Sequence, residues 1–131
     1  MNETTSKMPK NYHDLDVWRK GVTLTTAVHS LTANFPEHEM DGITGQLRHA
    51  AVAITANIAV GYSRCTTKGF LRRVSIASGS LAKIESLMML AERLAYCSAD
   101  AAEEIVLQCD ELSRMLSGLH DSLEGRIDYG F

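Results

Sequence analysis

The chain has 131 residues, with an apolar share of 45%, a charged share of 22% and a formal net charge of −3. That length fits one domain able to bury roughly two thirds of the surface its unfolded chain exposes, and a pI near 5.9 excludes a uniformly basic nucleic-acid coat while leaving room for a local basic face. The charge is segregated: six acids and four bases precede Gly42, six cations and no acid lie between Gly42 and Ile84, and ten acids with three bases follow.

Residues 1–11 are polar and aperiodic, which predicts a disordered N-terminal tail. His13 or Asp14 opens the first predicted helix. Leu15, Trp18, Val22, Thr25, Val28 and Leu31 then recur at steps of three and four, the period of one helix face. Pro36 ends this helix, because the residue before a proline resists the α region.

Asp41 is the expected N-cap of the second helix. Its stripe is Ile43, Leu47, Ala50, Ile54 and Ile58, flanked by Ala51, Ala53, Ala56 and Ala59. Small flanks let neighbouring backbones approach, so this helix is expected to be buried on more than one side. Gly61 is placed to end it. Ser63 to Thr67 reads as a turn, with Thr66 or Thr67 as the next cap.

The third helix is expected from Lys68 to Tyr96. Phe70, Val74, Ala77, Leu81, Ile84, Met88, Ala91 and Ala95 form a heptad-like seam, with Leu87, Leu90 and Leu94 widening it. Ser98 or Asp100 caps the fourth helix, whose stripe is Ile105, Cys109, Leu112, Leu116, Leu119 and Leu123, and Gly125 closes it. No stretch alternates with period two for long enough to make a strand. Short connections between amphipathic helices specify an all-α, antiparallel up-down-up-down four-helix bundle over residues 12–125, with a C-terminal tail over 126–131.

The cysteines, Cys65, Cys97 and Cys109, form no metal-ligand spacing. Cys97 and Cys109 flank the third-to-fourth turn, where small buried apolar roles are favoured over a redox pair. The opening residues lack a secretory apolar stretch, and no apolar run approaches the ~20 residues needed to span a membrane. A cytoplasmic protein is expected.

Residue types and spacing in the second and third helices resemble a known family. They are Gln46-Leu47-Arg48, Ala50-Ala51-Val52, Ala56-Asn57-Ile58-Ala59, Gly61, Ile76-Ala77, Gly79-Ser80 and Glu85, preceded by Leu15, Val17, Trp18, Phe35, Pro36 and Glu39. The family is that of bacterial four-helix-bundle proteins first noticed in intervening sequences of large-subunit ribosomal RNA genes. It includes the accessory variability protein of diversity-generating retroelements. The resemblance covers roughly residues 12–96 and implies a protomer assembled with itself, typically as a homopentamer. For the retroelement branch it implies a basic surface that engages nucleic acid and a reverse transcriptase. This chain departs from the pattern at His49, Ala53, Thr55, Val60 and Lys83, and it lacks the strong overall basicity of nucleic-acid-binding members.

Two sets of residues stand out. Arg64, Lys68, Arg72 and Arg73 cluster around the start of the third helix. One reading makes them a phosphate-binding patch at a helix N-terminus, with Tyr62 and Phe70 near enough to stack on bases. The other pairs them with Asp110, Glu111 or Asp121 on the acidic fourth helix, or with a neighbouring protomer. The second set, Gln46, Arg48, His49, Asn57, Gly79 and Glu85, is expected to serve packing or an oligomer interface. Gln46 and Asn57 would satisfy internal hydrogen bonds or fix register between subunits. Gly79 would admit close approach to the second helix. Glu85 would pair with Arg48 across the bundle.

No metal, cofactor or small-molecule substrate is expected. His13, His29, His38, His49 and His120 show no HExxH or comparable spacing, and the Glu-x-x-His pairs of di-iron bundles do not occur. Gly42 and Gly45 lack the lysine of a phosphate loop. With no nucleophile-base pair in view, the reading is a non-enzymatic, homo-oligomeric bundle that engages nucleic acid as an adaptor. The alternative is a protein-binding scaffold without nucleic-acid affinity.

Overall fold

The structure, a computed structural model, describes residues 11–127. The expected disorder of the N-terminal tail, and the end of the C-terminal tail, fall outside these residues. The described chain holds α1 (Asp16–Thr32), α2 (Ile43–Arg64), α3 (Thr67–Arg93) and α4 (Ala99–Arg126), with short 3-10 turns at Tyr12–Asp14 and Glu37–Glu39. Among the described residues there is no strand. Each helix packs on its sequence neighbours and α1 closes the ring against α4, whereas α1 and α3, and α2 and α4, sit diagonally with their backbones farther apart. This is the up-down-up-down bundle that the short connections specify.

The core follows the predicted seams of α2, α3 and α4 closely. Leu47, Ile54 and Ile58, then Val74, Ala77, Ile84 and Met88, then Cys109, Leu112 and Leu116 are fully buried. Two members of the row expected to widen the α3 seam are not: Leu90 and Leu94 are each 45% exposed.

On α1 the buried face is rotated from the expected one. Val17, Gly21, Leu24, Val28 and Thr32 face inward, and Val22 is exposed. The two non-aliphatic members explain the shift. A Cβ on Gly21 would lie 2.9 Å from Thr55 Cγ2, so the missing side chain is what lets α1 approach α2. Thr32 is buried because its hydroxyl donates to the Val28 carbonyl (2.7 Å) and accepts from Arg48 Nε (2.9 Å).

The helix ends also differ in detail from expectation. Gly42, not Asp41, is the N-cap of α2, and Glu39 Oε1 accepts from the Ile43 amide. Gly61 does not end α2. It lies inside the helix, where a Cβ would sit 2.6 Å from the Phe70 ring, so its use is close packing against α3. Arg64 is therefore the last residue of α2 rather than a turn residue. Thr66 caps α3 by accepting from the Gly69 amide, and Ser98 caps α4 by accepting from the Ala101 amide.

α3 stops at Arg93, short of Tyr96. Ala95 takes a positive φ of 62°, the Tyr96 amide donates to the Ala91 carbonyl and the Ala95 amide to the Glu92 carbonyl. This is a Schellman closure with alanine in the left-handed position usually held by glycine. Gly125 likewise falls inside α4, which continues to Arg126. By length and composition α3 would pass for a membrane span, which the sequence did not suggest; its seam is instead packed into the bundle against α2 and α4.

Candidate nucleic-acid interface

α2 and α3 are separated only by Cys65 and Thr66. Cys65 is extended (φ −110°, ψ 157°) and Thr66 is an extended cap, so the chain reverses direction sharply. The reversal brings the last turn of α2 beside the first turns of α3. Arg64, Lys68 and Arg72 are all exposed there, with Lys68 and Arg72 four residues apart on one face.

The charge placement runs against helix electrostatics. A helix N-terminus carries partial positive charge, favouring acids and opposing cations. α3 has no acid in its first turn and begins Thr67-Lys68. The cost of Lys68 there is about 0.3–1 kcal/mol at low salt. An anion seated among Arg64, Lys68, Arg72 and the positive end of α3 would reverse that sign.

Among the described residues no carboxylate pairs with these cations. Among the described residues the ion pairs are Arg19–Asp14 (3.3 Å), Lys20–Glu111 (2.6 Å) and the weaker His120–Asp121 contact (3.9 Å). Glu111, expected as a partner for the basic segment, is held instead by Lys20 across the α1–α4 seam. None of the three pairs includes Arg64, Lys68 or Arg72.

Arg73 is different. It is half-buried, and its Nη1 donates to Asn57 Oδ1 at 3.0 Å while Asn57 Nδ2 donates to the Ala53 carbonyl. Arg73 therefore ties α3 to α2 and supports the patch from beneath. Asn57 serves an internal hydrogen bond, one of the two roles expected of it. At the same end of the bundle a hollow of about 300 Å³ is lined by Tyr62, Thr66, Phe70, Leu123 and Arg126, and Arg64, Lys68 and Arg72 lie outside its walls. Tyr62 is half-buried and meets Phe70 edge-on, ring centroids 5.9 Å apart. Phe70 is buried and cannot offer a stacking face, whereas Tyr62 offers an edge.

The remaining expected residues scatter. Arg48 reaches back to α1, donating from Nε to Thr32 and from Nη2 to the His29 carbonyl (3.4 Å). A cation at those last carbonyls matches the negative end of α1. It does not pair with Glu85, because the two sit on faces turned toward different neighbours. Glu85 faces α4, where burial and then Asp110 raise its carboxyl above the usual range. Burial, then Glu85 and Asp110, push the Cys109 thiol up to about 12, so Cys109 is an inert core residue. Cys97 is half-buried.

Gly79 points outward, with nothing within 4 Å of where a Cβ would be, so the expected close approach to α2 does not occur within the protomer. Gln46 is exposed rather than buried and needs no internal partner. With His49 it begins an outward row on α2, continued by Val52, Ala56, Val60 and Ser63, all exposed. No Lys, Arg, Asp or Glu occurs between Arg48 and Arg64.

One further grouping was invisible to the histidine spacing. His120, Asp121 and Glu124 place possible ligand atoms within 4.8 Å of one another. Asp121 and Glu124 are exposed, and a surface trio of this kind is ordinary on a helix rich in acids.

Comparison with known proteins gives a consistent picture. The model of the 23S rRNA-intervening sequence protein family matches residues 13–118. Among solved structures, the fold is similar to a Bacteroides thetaiotaomicron protein of unknown function from the S23 ribosomal protein family. The TM-score is 0.71 at 19% identity, over 79% of this chain and 97% of that one. At that identity the likeness shows the fold alone. No curated protein sequence matches.

Proposed function

This chain belongs to the 23S rRNA-intervening sequence protein family, and we propose that it is a non-enzymatic, self-assembling adaptor that holds nucleic acid at the α2–α3 end of its bundle. The observation that carries the reading is the exposed trio Arg64, Lys68 and Arg72, which lacks carboxylate partners among the described residues. The trio surrounds a helix start where cations are unfavourable without an anion. Phosphates supply that anion, and the edge of Tyr62 lines a hollow at the same end of the bundle, open to a base.

Self-assembly is supported by the outward row of α2. Solvated faces of bundle helices normally carry charge. This one presents Val52 (48% exposed) and Val60 (38% exposed) among small side chains instead. Covered by sister copies, the row becomes ordinary interface core. A homopentameric ring, as the family resemblance implies, would gather the basic ends of several protomers and multiply weak phosphate contacts by avidity. A reverse transcriptase encoded nearby would place the protein in the retroelement branch.

Fluorescence anisotropy with a labelled single-stranded oligonucleotide tests the reading. Binding should weaken steeply as salt rises, and Arg64→Ala with Lys68→Ala and Arg72→Ala should lower the slope of log K against log salt by about 2–3. Particle mass from light scattering should not change in that variant, and Val52→Asp with Val60→Asp should reduce it to the monomer. Unchanged oligonucleotide binding in the triple variant overturns the reading. So does disassembly of the particle, which would make the trio an ion-paired interface and the protein a scaffold.

A further inference from the structure

We propose that the groove between α3 and α4, beside the Leu94–Ser98 turn, is a docking site for an amphipathic helix of a partner protein whose apolar stripe is bordered by lysine or arginine. The groove encloses about 260 Å³. Its floor is Met89 on α3 with Ala99, Ala102 and Val106 on α4, and its rim is Glu85, Glu92 and Glu103. Met89 is 62% exposed and Leu107, one helical step beyond Val106, is 57% exposed. These are the two most exposed large apolar side chains among the described residues. Small floor residues leave room for an incoming side chain, and methionine adapts its shape to it.

The choice of occupant comes from charge. None of Glu85, Glu92 or Glu103 enters an ion pair among the described residues, and Arg93 at the end of α3 makes none either. Glu85 is half-buried, and burial and then the charge of Asp110 raise its carboxyl above the usual range. A cation brought from outside would favour the ionised form of such a group. Apolar anchors for the floor and cations for the rim together describe the helix-in-groove mode of recognition, with complementary potentials to set its register. The same rim repels nucleic acid. The groove lies on the C-terminal half of α3, away from Arg64, Lys68 and Arg72, so it stands apart from the proposed nucleic-acid site.

The test uses a synthetic, fluorescein-labelled amphipathic helix with leucines at helical spacing and lysines flanking them, and a twin in which glutamates replace the lysines. The full chain should bind the lysine helix in a salt-sensitive manner and fail to bind the twin. Glu92→Lys with Glu103→Lys should weaken the lysine helix by at least about tenfold, and Glu92→Gln with Glu103→Gln should fall between. Both positions are exposed, so the variants should keep their fold, which circular dichroism checks. Absence of binding to the unaltered chain overturns the proposal, as does equal affinity for the twin or for the Lys variant. A fall in particle mass in the Gln variant also overturns it, because a sister copy would then be the occupant.

Discussion

At the Leu94–Ser98 turn every local choice but the left-handed Ala95 favours stability, and at the Cys65–Thr66 turn the placement of charge opposes it. The first has a Schellman closure, a Ser98 cap, and Tyr96 donating to Glu39 Oε2 at 2.7 Å while its ring meets Phe35 at 5.6 Å. Those contacts lash the α3–α4 turn to the α1–α2 connection. The second turn, at the other end of α3, gathers Arg64, Lys68 and Arg72 around a helix start, with an extended Cys65 and a glycine buried against Phe70. Both turns close a helical hairpin, so closure alone does not require the cations. Where a chain breaks a local rule without local compensation, the reason is sought in what binds there.

The contrast can be broken most severely at Gly61. Gly61→Val would drive its side chain into the Phe70 ring, and overpacking of this kind costs about 1–3 kcal/mol. Urea denaturation should show that loss. The corresponding change at the open Gly79, Gly79→Ala, should stabilise the protomer by up to about 1 kcal/mol through helix propensity, unless a sister copy covers it.

Ala95→Gly sharpens the comparison from the other side. Relief of the positive φ should stabilise the protein by about 1 kcal/mol, read as a higher denaturation midpoint at unchanged slope. The stable turn therefore still holds one correctable strain. Lys68→Glu should also stabilise the isolated protomer, by about 0.3–1 kcal/mol at low salt, while weakening oligonucleotide binding. Opposite signs in the two assays would mark the basic turn as a place where stability was given up for contact. A loss of stability instead would mark it as structural.

The smallest effect is a pH signature of the Tyr96–Glu39 link. Hydrogen bonds from Tyr96 and then from the Ile43 amide hold the Glu39 carboxyl below its ordinary value. The link therefore contributes fully above the unfolded carboxylate pKa and is lost as pH falls through the lowered one. The same hydrogen bond raises the Tyr96 phenol, so the contribution persists below the unfolded phenol pKa and fades as pH rises through the raised one. The melting-temperature difference between the native chain and Tyr96→Phe should be a plateau at neutral pH that vanishes in strong acid and in strong alkali. Both groups are only partly buried, so the plateau should be low.

Legibility differed by residue type. The seams of α2, α3 and α4 were readable because Leu, Ile, Val and Met at helical spacing announce their face. The face of α1 was not, because Gly21 and Thr32 carry no such signal: one is buried for want of a side chain, the other because Arg48 and Val28 satisfy its hydroxyl. The trio of exposed cations was placed by sequence, but Arg73 looked like a fourth member until Asn57 was found beneath it. Glu92 and Glu103 gave no sign of sharing a rim, since on separate helices they resemble any solvated acids.

By itself the sequence determined the number of helices, the buried stripes of α2, α3 and α4, the caps of α3 and α4 to within two candidates each, and the concentration of positive charge in the middle of the chain. Those are local properties, written at intervals of three and four residues. Only the tertiary structure decided that Arg73 is tied to Asn57 while Arg64, Lys68 and Arg72 meet no carboxylate among the described residues, that Arg48 holds α1 rather than Glu85, that Gly61 is enclosed while Gly79 is open, and that an acid-rimmed groove runs along α3. A long side chain finds its partner according to which helix stands opposite and at what rotation, and that phase is fixed by the packing of all the neighbours together.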